Sequence, residues 1–237
     1  MIDSVIPLLE PTEAFPYTPP TDEIKDKYAH IFEITEPLPR RPLKLAFDKL
    51  VSAVLLVFSL PILFSLKIAY MIEGFLIPDN KGPMFFSYNA VSQGKVFPKY
   101  KIRLIKTKYI EPEGAKRGDW IAYSAEWNED SRTIVGTFVK KFYLDEIPQF
   151  WNVLRGDMSI VGPRPDVPGF MDRLCGDDRE LLRLRPGITG AASLKYHDEE
   201  EILATVDDPE RHAAEVIWPD KVRINRNYMR NWSFSGD

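Results

Sequence analysis

Asp145 and Glu146 stand side by side in LDEIPQFWNVLRGDMSIVGPRP, residues 144 to 165, and Arg164 follows between two prolines. Adjacent carboxylates can hold a hard cation or supply a nucleophile. An arginine on a backbone stiffened by flanking prolines can present its planar fork to phosphate oxygens at little ordering cost. The combination points to phosphate and metal chemistry. More cations surround it: Lys140 and Lys141 precede the pair, and Arg183 and Arg185 open RLRPGITG at residues 183 to 190. A bland alternative stands beside this one. Acidic residues are common in first helical turns because they suit the positive dipole end, so Asp145 could be a helix cap and nothing more.

Such a pair must be positioned by regular elements. Ile147, Phe150, Trp151 and Leu154 recur at helical spacing and Gly156 supplies a stop, which predicts a helix starting at or near Asp145 with Pro148 in its first turn. Upstream, MFFSYNAVSQGKVFPKYKIRLI predicts two short strands around a turn at Gln93-Gly94. Alternation within the second strand puts Lys101 and Arg103 on one face, where a solvated edge would explain them as well as a ligand would. Residues 106 to 135 read as an irregular excursion. Downstream, Glu199-Glu200-Glu201 reads as a solvated first helical turn, and residues 209 to 217 and 219 to 232 as two helices, each opening at a proline. In the last of these Val222, Asn225, Tyr228, Met229 and Trp232 share a face, with Arg223, Arg226 and Arg230 as a basic stripe.

Residues 50 to 66 carry no charge over 17 positions and are relieved only by serines. This is at the short end of the ~20 residues that span a bilayer, and Pro61 removes a backbone hydrogen bond in the middle. Arg40, Arg41, Lys44 and Lys49 precede the segment, while Lys67, Lys81 and a series up to Lys108 follow it. Basic flanks favour the cytoplasmic side, so a bent helix that enters and leaves by one face satisfies both ends, with Ser52 and Ser59 available to freed carbonyls. A true span and a buried soluble helix are the alternatives.

Composition narrows the rest. In 237 residues Cys175 is the only cysteine, and His30, His197 and His212 have no metal-ligand spacing, which argues against disulfides and structural zinc. Residues 1 to 42 hold eight prolines, and residues 1 to 39 carry a net charge of −6. The remaining chain is left at +2, which suits anionic substrates or an anionic membrane surface but is too weak to argue for nucleic acid. The expected organisation is a proline-rich acidic arm (1–42), a re-entrant membrane helix (43–74) and a catalytic domain (75–237).

Taken together, LDEIPQFWNVLRGDMSIVGPRP, RPGITG, the YKIR segment at residues 100 to 103 and the proline-broken apolar helix resemble the bacterial sugar transferases, the monotopic polyprenyl-phosphate hexose-1-phosphate (phosphoglycosyl) transferases. The resemblance runs from about Lys44 to Trp232. It implies an α+β, helix-rich fold: one catalytic domain with a small β-hairpin and an N-terminal proline-kinked re-entrant helix. It implies Asp145 as nucleophile with Glu146 as its partner, both holding Mg²⁺, and Lys101, Arg103, Lys140, Arg164 and Arg185 as phosphate-binding residues. Lys140 departs from the family, which usually has arginine five positions before the nucleophile. The implied partners are a nucleotide-sugar donor (UDP by resemblance), a polyprenyl phosphate acceptor and membrane phospholipid, with a homodimer left open. The implied setting is the cytoplasmic face of a bacterial inner membrane and the start of a surface glycan. Two rivals remain: a membrane-anchored scaffold whose acidic pair only caps a helix, and a membrane-linked phosphohydrolase. The catalytic reading expects Asp145 and Glu146 to lie near Arg164 and Arg185 and outside buried salt links.

Overall fold

The structure is a computed structural model and describes residues 41–93, 95–109, 129–165 and 176–237. The expected arm lies outside these except for its last two residues, and so does most of the expected irregular excursion.

Pro42 sits in the first turn of α1, Pro42–Leu76, where its fixed φ suits a helix start. At ~1.5 Å per residue its 35 residues extend about 52 Å. Its two faces are the reverse of a soluble core helix. Lys44, Asp48, Ser52, Ser59, Tyr70 and Glu73 are buried against the rest of the chain, whereas Val57, Phe58, Phe64, Phe75 and Leu76 are exposed. Among the described residues it is the one helix long and apolar enough to cross a membrane. It runs through Pro61 as one element. The Ser59 hydroxyl bonds the Leu56 carbonyl at 2.8 Å, beside the Val57 carbonyl that Pro61 cannot serve. Ser52, expected in the same role, is buried with a hydroxyl that finds no partner among the described residues.

Strands β1, Phe85–Ser92, and β2, Lys95–Ile102, form the expected antiparallel hairpin, with Phe85 opposite Ile102 and Ser92 opposite Lys95. Gln93 turns the corner at φ 50°. The far end of the hairpin enters a core in which Leu66 and Tyr70 of α1 meet Met84, Ile102, Leu104, Ile105 and Val139. Val139 belongs to α2, Ile134–Lys141, whose Thr133 cap accepts a hydrogen bond from the Gly136 amide at 2.8 Å. The α1 helix contributes to the same cap: Glu73 accepts from the Ile134 amide at 2.6 Å and the Val135 amide at 3.1 Å. A carboxylate at the positive end of α2 thus fastens α1 to the domain.

The helix after the acidic pair begins later than its apolar spacing implies. Leu144–Glu146 is a single 3₁₀ turn, and α3 runs only over Gln149–Arg155, with Pro148 as the residue before it. Its buried face is Gln149, Asn152 and Val153, while Trp151 is 52% exposed, so the expected apolar face is also corrected. Asn152 turns inward because the helix packs on a strand edge: it accepts from the Tyr100 amide at 3.1 Å and donates to the Pro98 carbonyl at 2.8 Å, whereas the buried Gln149 amide finds no partner among the described residues. Gly156 ends α3 at φ 90°, in the left-handed region that glycine enters at no steric cost.

Strand β3, Ser159–Val161, pairs in parallel with β4, Gly187–Thr189. This brings GPRP against RPGITG so closely that a Cβ on Gly187 would stand 2.2 Å from the Gly162 nitrogen. These glycines are therefore required for backbone approach. Short helices α4 (Ala191–Lys195), α5 (Glu199–Ala204) and α6 (Pro209–His212) lead to α7, Trp218–Arg230. The two expected C-terminal helices are joined through a π-helical turn, Ala213–Ile217. Arg226 leaves the expected basic stripe to pair with buried Asp178 at 2.6 Å. Helix-rich with two small sheets, this architecture matches the expected class.

Candidate active site

The turn that carries the acidic pair is set by Tyr143, a non-glycine residue at φ 53°, ψ 26° that breaks α2 and redirects the chain. Holding tyrosine in the left-handed region costs on the order of 1 kcal/mol or more, which surrounding contacts must offset. Here β2 supplies them. Lys101 on β2 places its ammonium 3.1 Å from Asp145 Oδ2, with both side chains buried. The neighbouring Glu146 accepts from both terminal guanidinium nitrogens of Arg164, one of which also donates to the Ile188 carbonyl of β4 at 3.0 Å. The site is thus assembled from three places in the sequence: the hairpin, the turn before α3, and the β3–β4 ribbon.

Charge decides the ionisation of Glu146. Burial pushes its carboxyl up, but Arg164, hydrogen-bonded to it, together with Lys99 and Lys101, outweighs burial and holds it down at about 2. Glu146 is therefore a carboxylate at any physiological pH. Lys99 was absent from the expected set, although the alternation that picks out Lys101 also picks out Lys99, two residues earlier on the same face. Asn152, which ties α3 to β2, carries no signal in sequence beyond its helical position.

Other expected residues land elsewhere. Arg103 follows the last residue of β2 and is fully buried. Its guanidinium donates to the carbonyls of Pro83 (2.8 Å), Ile105 (2.7 Å) and Asn80 (2.8 Å), while the Arg103 carbonyl accepts from the Tyr70 hydroxyl. Alternation fails at Arg103 because the strand has ended, and the expectation that this side chain faces phosphate is corrected. Arg185 lies by Asp48 and Asp157: burial pulls its guanidinium below the usual arginine range, and those two carboxylates pull it back. It is not among the charges acting most strongly on Glu146. Lys140 is half-buried on the last turn of α2, just before Tyr143. The expectation of carboxylates outside buried salt links is corrected too, since both are ion-paired. Asp48, on the inward face of α1, accepts from the Ser159 hydroxyl at 2.6 Å.

A sequence profile of the bacterial sugar transferases matches residues 39–237. The chain belongs to the bacterial sugar transferase family. It is 31% identical over 206 residues to the undecaprenyl-phosphate galactose phosphotransferase of Salmonella typhimurium, covering 83% of this chain and 38% of that protein. With the undecaprenyl-phosphate glucose phosphotransferase of Komagataeibacter xylinus it shares 31% identity over 211 residues, covering 83% and 35%. The exopolysaccharide production protein ExoY of Rhizobium meliloti is 28% identical, covering 82% of this chain and 80% of its own length. The chain spans under two fifths of the first two relatives. Its carboxylates, lysines and Arg164 all lie inside the matched region of the family.

Magnesium can be weighed against the donors present. Among the described residues no three His, Cys, Asp or Glu side chains group to cage an ion. Two adjacent carboxylates do suit a hard cation that keeps several waters and takes its remaining ligands from phosphate.

Proposed function

We propose that this sugar transferase moves a sugar-1-phosphate from a nucleotide diphosphate-sugar, most simply a UDP-sugar, to polyprenyl phosphate at a membrane surface, so starting a glycan. The observation that carries the reading is Asp145 held against Lys101 beside a Glu146–Arg164 pair, within a chain of the family whose relatives bear undecaprenyl-phosphate phosphotransferase names.

In the first step an Asp145 carboxylate oxygen attacks the sugar-linked phosphorus. The bond from that phosphorus to the bridging oxygen breaks, and the nucleoside monophosphate leaves with that oxygen. In the second step an oxygen of polyprenyl phosphate attacks the same phosphorus and the Asp145 carboxylate is released, leaving polyprenyl-diphosphate-sugar. Neither step needs a proton from the protein. The difficulty is electrostatic: an anion must approach a dianion, and preorganised cations lower that barrier. Lys101 and Arg164 serve here. Each holds a carboxylate, and phosphate oxygens can exchange for carboxylate oxygens on the same donors. The salt links therefore do not count against catalysis; they keep the cations in place and Asp145 oriented. Magnesium, when held by Asp145 and Glu146, would neutralise charge on the diphosphate.

The lipid acceptor fixes the setting. At about 0.8 kcal/mol per buried CH₂, a polyprenyl chain stays in the bilayer and its phosphate must be met at headgroup depth. Two features support such a placement. Residues at both ends of α1 bond one catalytic body: Asp48 bonds Ser159, while Glu73 bonds Ile134 and Val135. A helix returning to the face it left accommodates both attachments, and its outward apolar side would meet lipid. In addition Phe138, Phe142 and Tyr143 are exposed immediately before the acidic pair. We read residues 43–74 as the re-entrant membrane element and 75–237 as the catalytic domain on the cytoplasmic side.

Incubating the full chain in lipid with UDP-sugars, Mg²⁺ and polyprenyl phosphate tests the reading. UMP should be released in the presence of the lipid acceptor, with ping-pong kinetics, and Asp145→Asn should lower turnover by at least about a thousandfold. Sequential kinetics with an active Asp145→Asn would remove the covalent step. Free sugar phosphate made without the lipid would make the protein a phosphohydrolase.

A further inference from the structure

Strand β2 buries two lysines two residues apart. Lys99 is 1% exposed and Lys101 7%, and both share their face with buried Phe97. An ammonium taken out of water costs several kcal/mol unless anions receive it, so an apolar residue like Phe97 would serve that face better if packing were the only demand. The turn Leu144–Glu146 packs on this same strand. Lys101 meets Asp145 directly, and Glu146 feels Lys99 as well as Arg164 and Lys101. Lys99, Lys101 and Arg164 therefore converge on two carboxylates.

We propose that Lys99 is a further substrate-binding residue, a buried cation that works with Lys101 to hold the diphosphate of the nucleotide-sugar. This rests on the proposed function, of which it names an additional binding group. Same-face residues on a strand lie roughly 6.6 Å apart. The flexible four-carbon stems of two such lysines can bring their ammonium groups to neighbouring phosphates. Lys101 lies against the attacking carboxylate and so serves the phosphorus under attack. Lys99, one pleat further from the end of the strand, serves the phosphate that departs.

Equilibrium binding of UDP with Mg²⁺ to the full chain in lipid nanodiscs tests this, by calorimetry at low and high salt, with a melting curve for each protein. Lys99→Met, which keeps the length and volume of the stem, should melt near wild type and bind UDP about tenfold or more weakly, with a shallower salt dependence. Lys99→Arg, which restores the charge, should recover most of the affinity. Wild-type affinity in Lys99→Met would overturn the proposal. So would a loss that Lys99→Arg shares and that follows a fall in melting temperature, since that is a packing defect. A wild-type protein that fails to bind UDP would strike the donor reading itself and is thereby distinguished from failure of Lys99 alone.

Discussion

Around Arg103 the chain is knotted onto backbone; around Arg164 the same kind of side chain grips a carboxylate. Arg103 is sealed beneath Tyr70 and donates to three main-chain carbonyls, none of which can leave. Arg164 keeps about a third of its side-chain surface exposed and spends most of its fork on Glu146. An arginine on carbonyls is a structural tie. An arginine on a carboxylate holds an exchangeable partner, because an incoming phosphate offers the same planar recognition with more charge. The two residues look equivalent as proline-adjacent or strand-end cations in the sequence, yet only Arg164 holds a partner that a phosphate could replace.

Substitution at Arg103 should produce the largest effect and should be purely structural. Arg103→Met leaves the carbonyls of Asn80, Pro83 and Ile105 without their donor in a dry region, and each such group costs about 1–3 kcal/mol. Denaturant unfolding should show a loss of at least about 3 kcal/mol. Arg103→Lys should fail to rescue it, because one ammonium cannot reproduce the fork. If Arg103→Met melts like wild type but loses donor affinity, the contrast between the two arginines is wrong.

Arg164→Met should do the opposite. Glu146 is mostly buried and loses its first partner, so the melting temperature should fall, but by less than in Arg103→Met, while the KM for the nucleotide-sugar rises about 10- to 100-fold. Unchanged KM with a large stability loss would move Arg164 into the class of Arg103.

The hairpin was legible because its alternation and its turn at Gln93-Gly94 are local properties, and the long apolar helix because composition alone announces it. The motif around the acidic pair singled it out, and the structure sets it against Lys101 and Arg164. What lay beyond reach depends on non-local contacts. The spacing of Ile147, Phe150, Trp151 and Leu154 suggested an apolar inner face, but α3 bonds the edge of β2 through Asn152, which therefore turns inward and leaves Trp151 exposed. Glu73 carries no local signal, because its role as a cap for α2 depends on a partner some 60 residues away. Arg103 was misjudged for one reason. Sequence shows a cation and its backbone stiffness, whereas only packing shows what its donors already hold.

The smallest expected effect is on acid stability, and it sharpens the same contrast. Glu146 is held at about 2 in the folded chain, below the ~4.3 of an ordinary glutamate. Its folded-state pKa is depressed, so the stability it contributes is fully present above the unfolded value and is lost as pH falls from about 4.3 toward 2. Removing Arg164 removes the strongest charge holding Glu146 down, so the folded value moves back toward the ordinary one. Plotted against pH, the stability difference between wild type and Arg164→Met should therefore be constant above about pH 5 and shrink below pH 4, as protonation weakens the wild-type pair. Arg103→Met, whose lost partners are carbonyls that do not titrate, should run parallel to wild type through that window. Parallel curves for Arg164→Met would mean that Glu146 is not held by Arg164, and the exchangeable ion pair at the centre of the site would have to be abandoned.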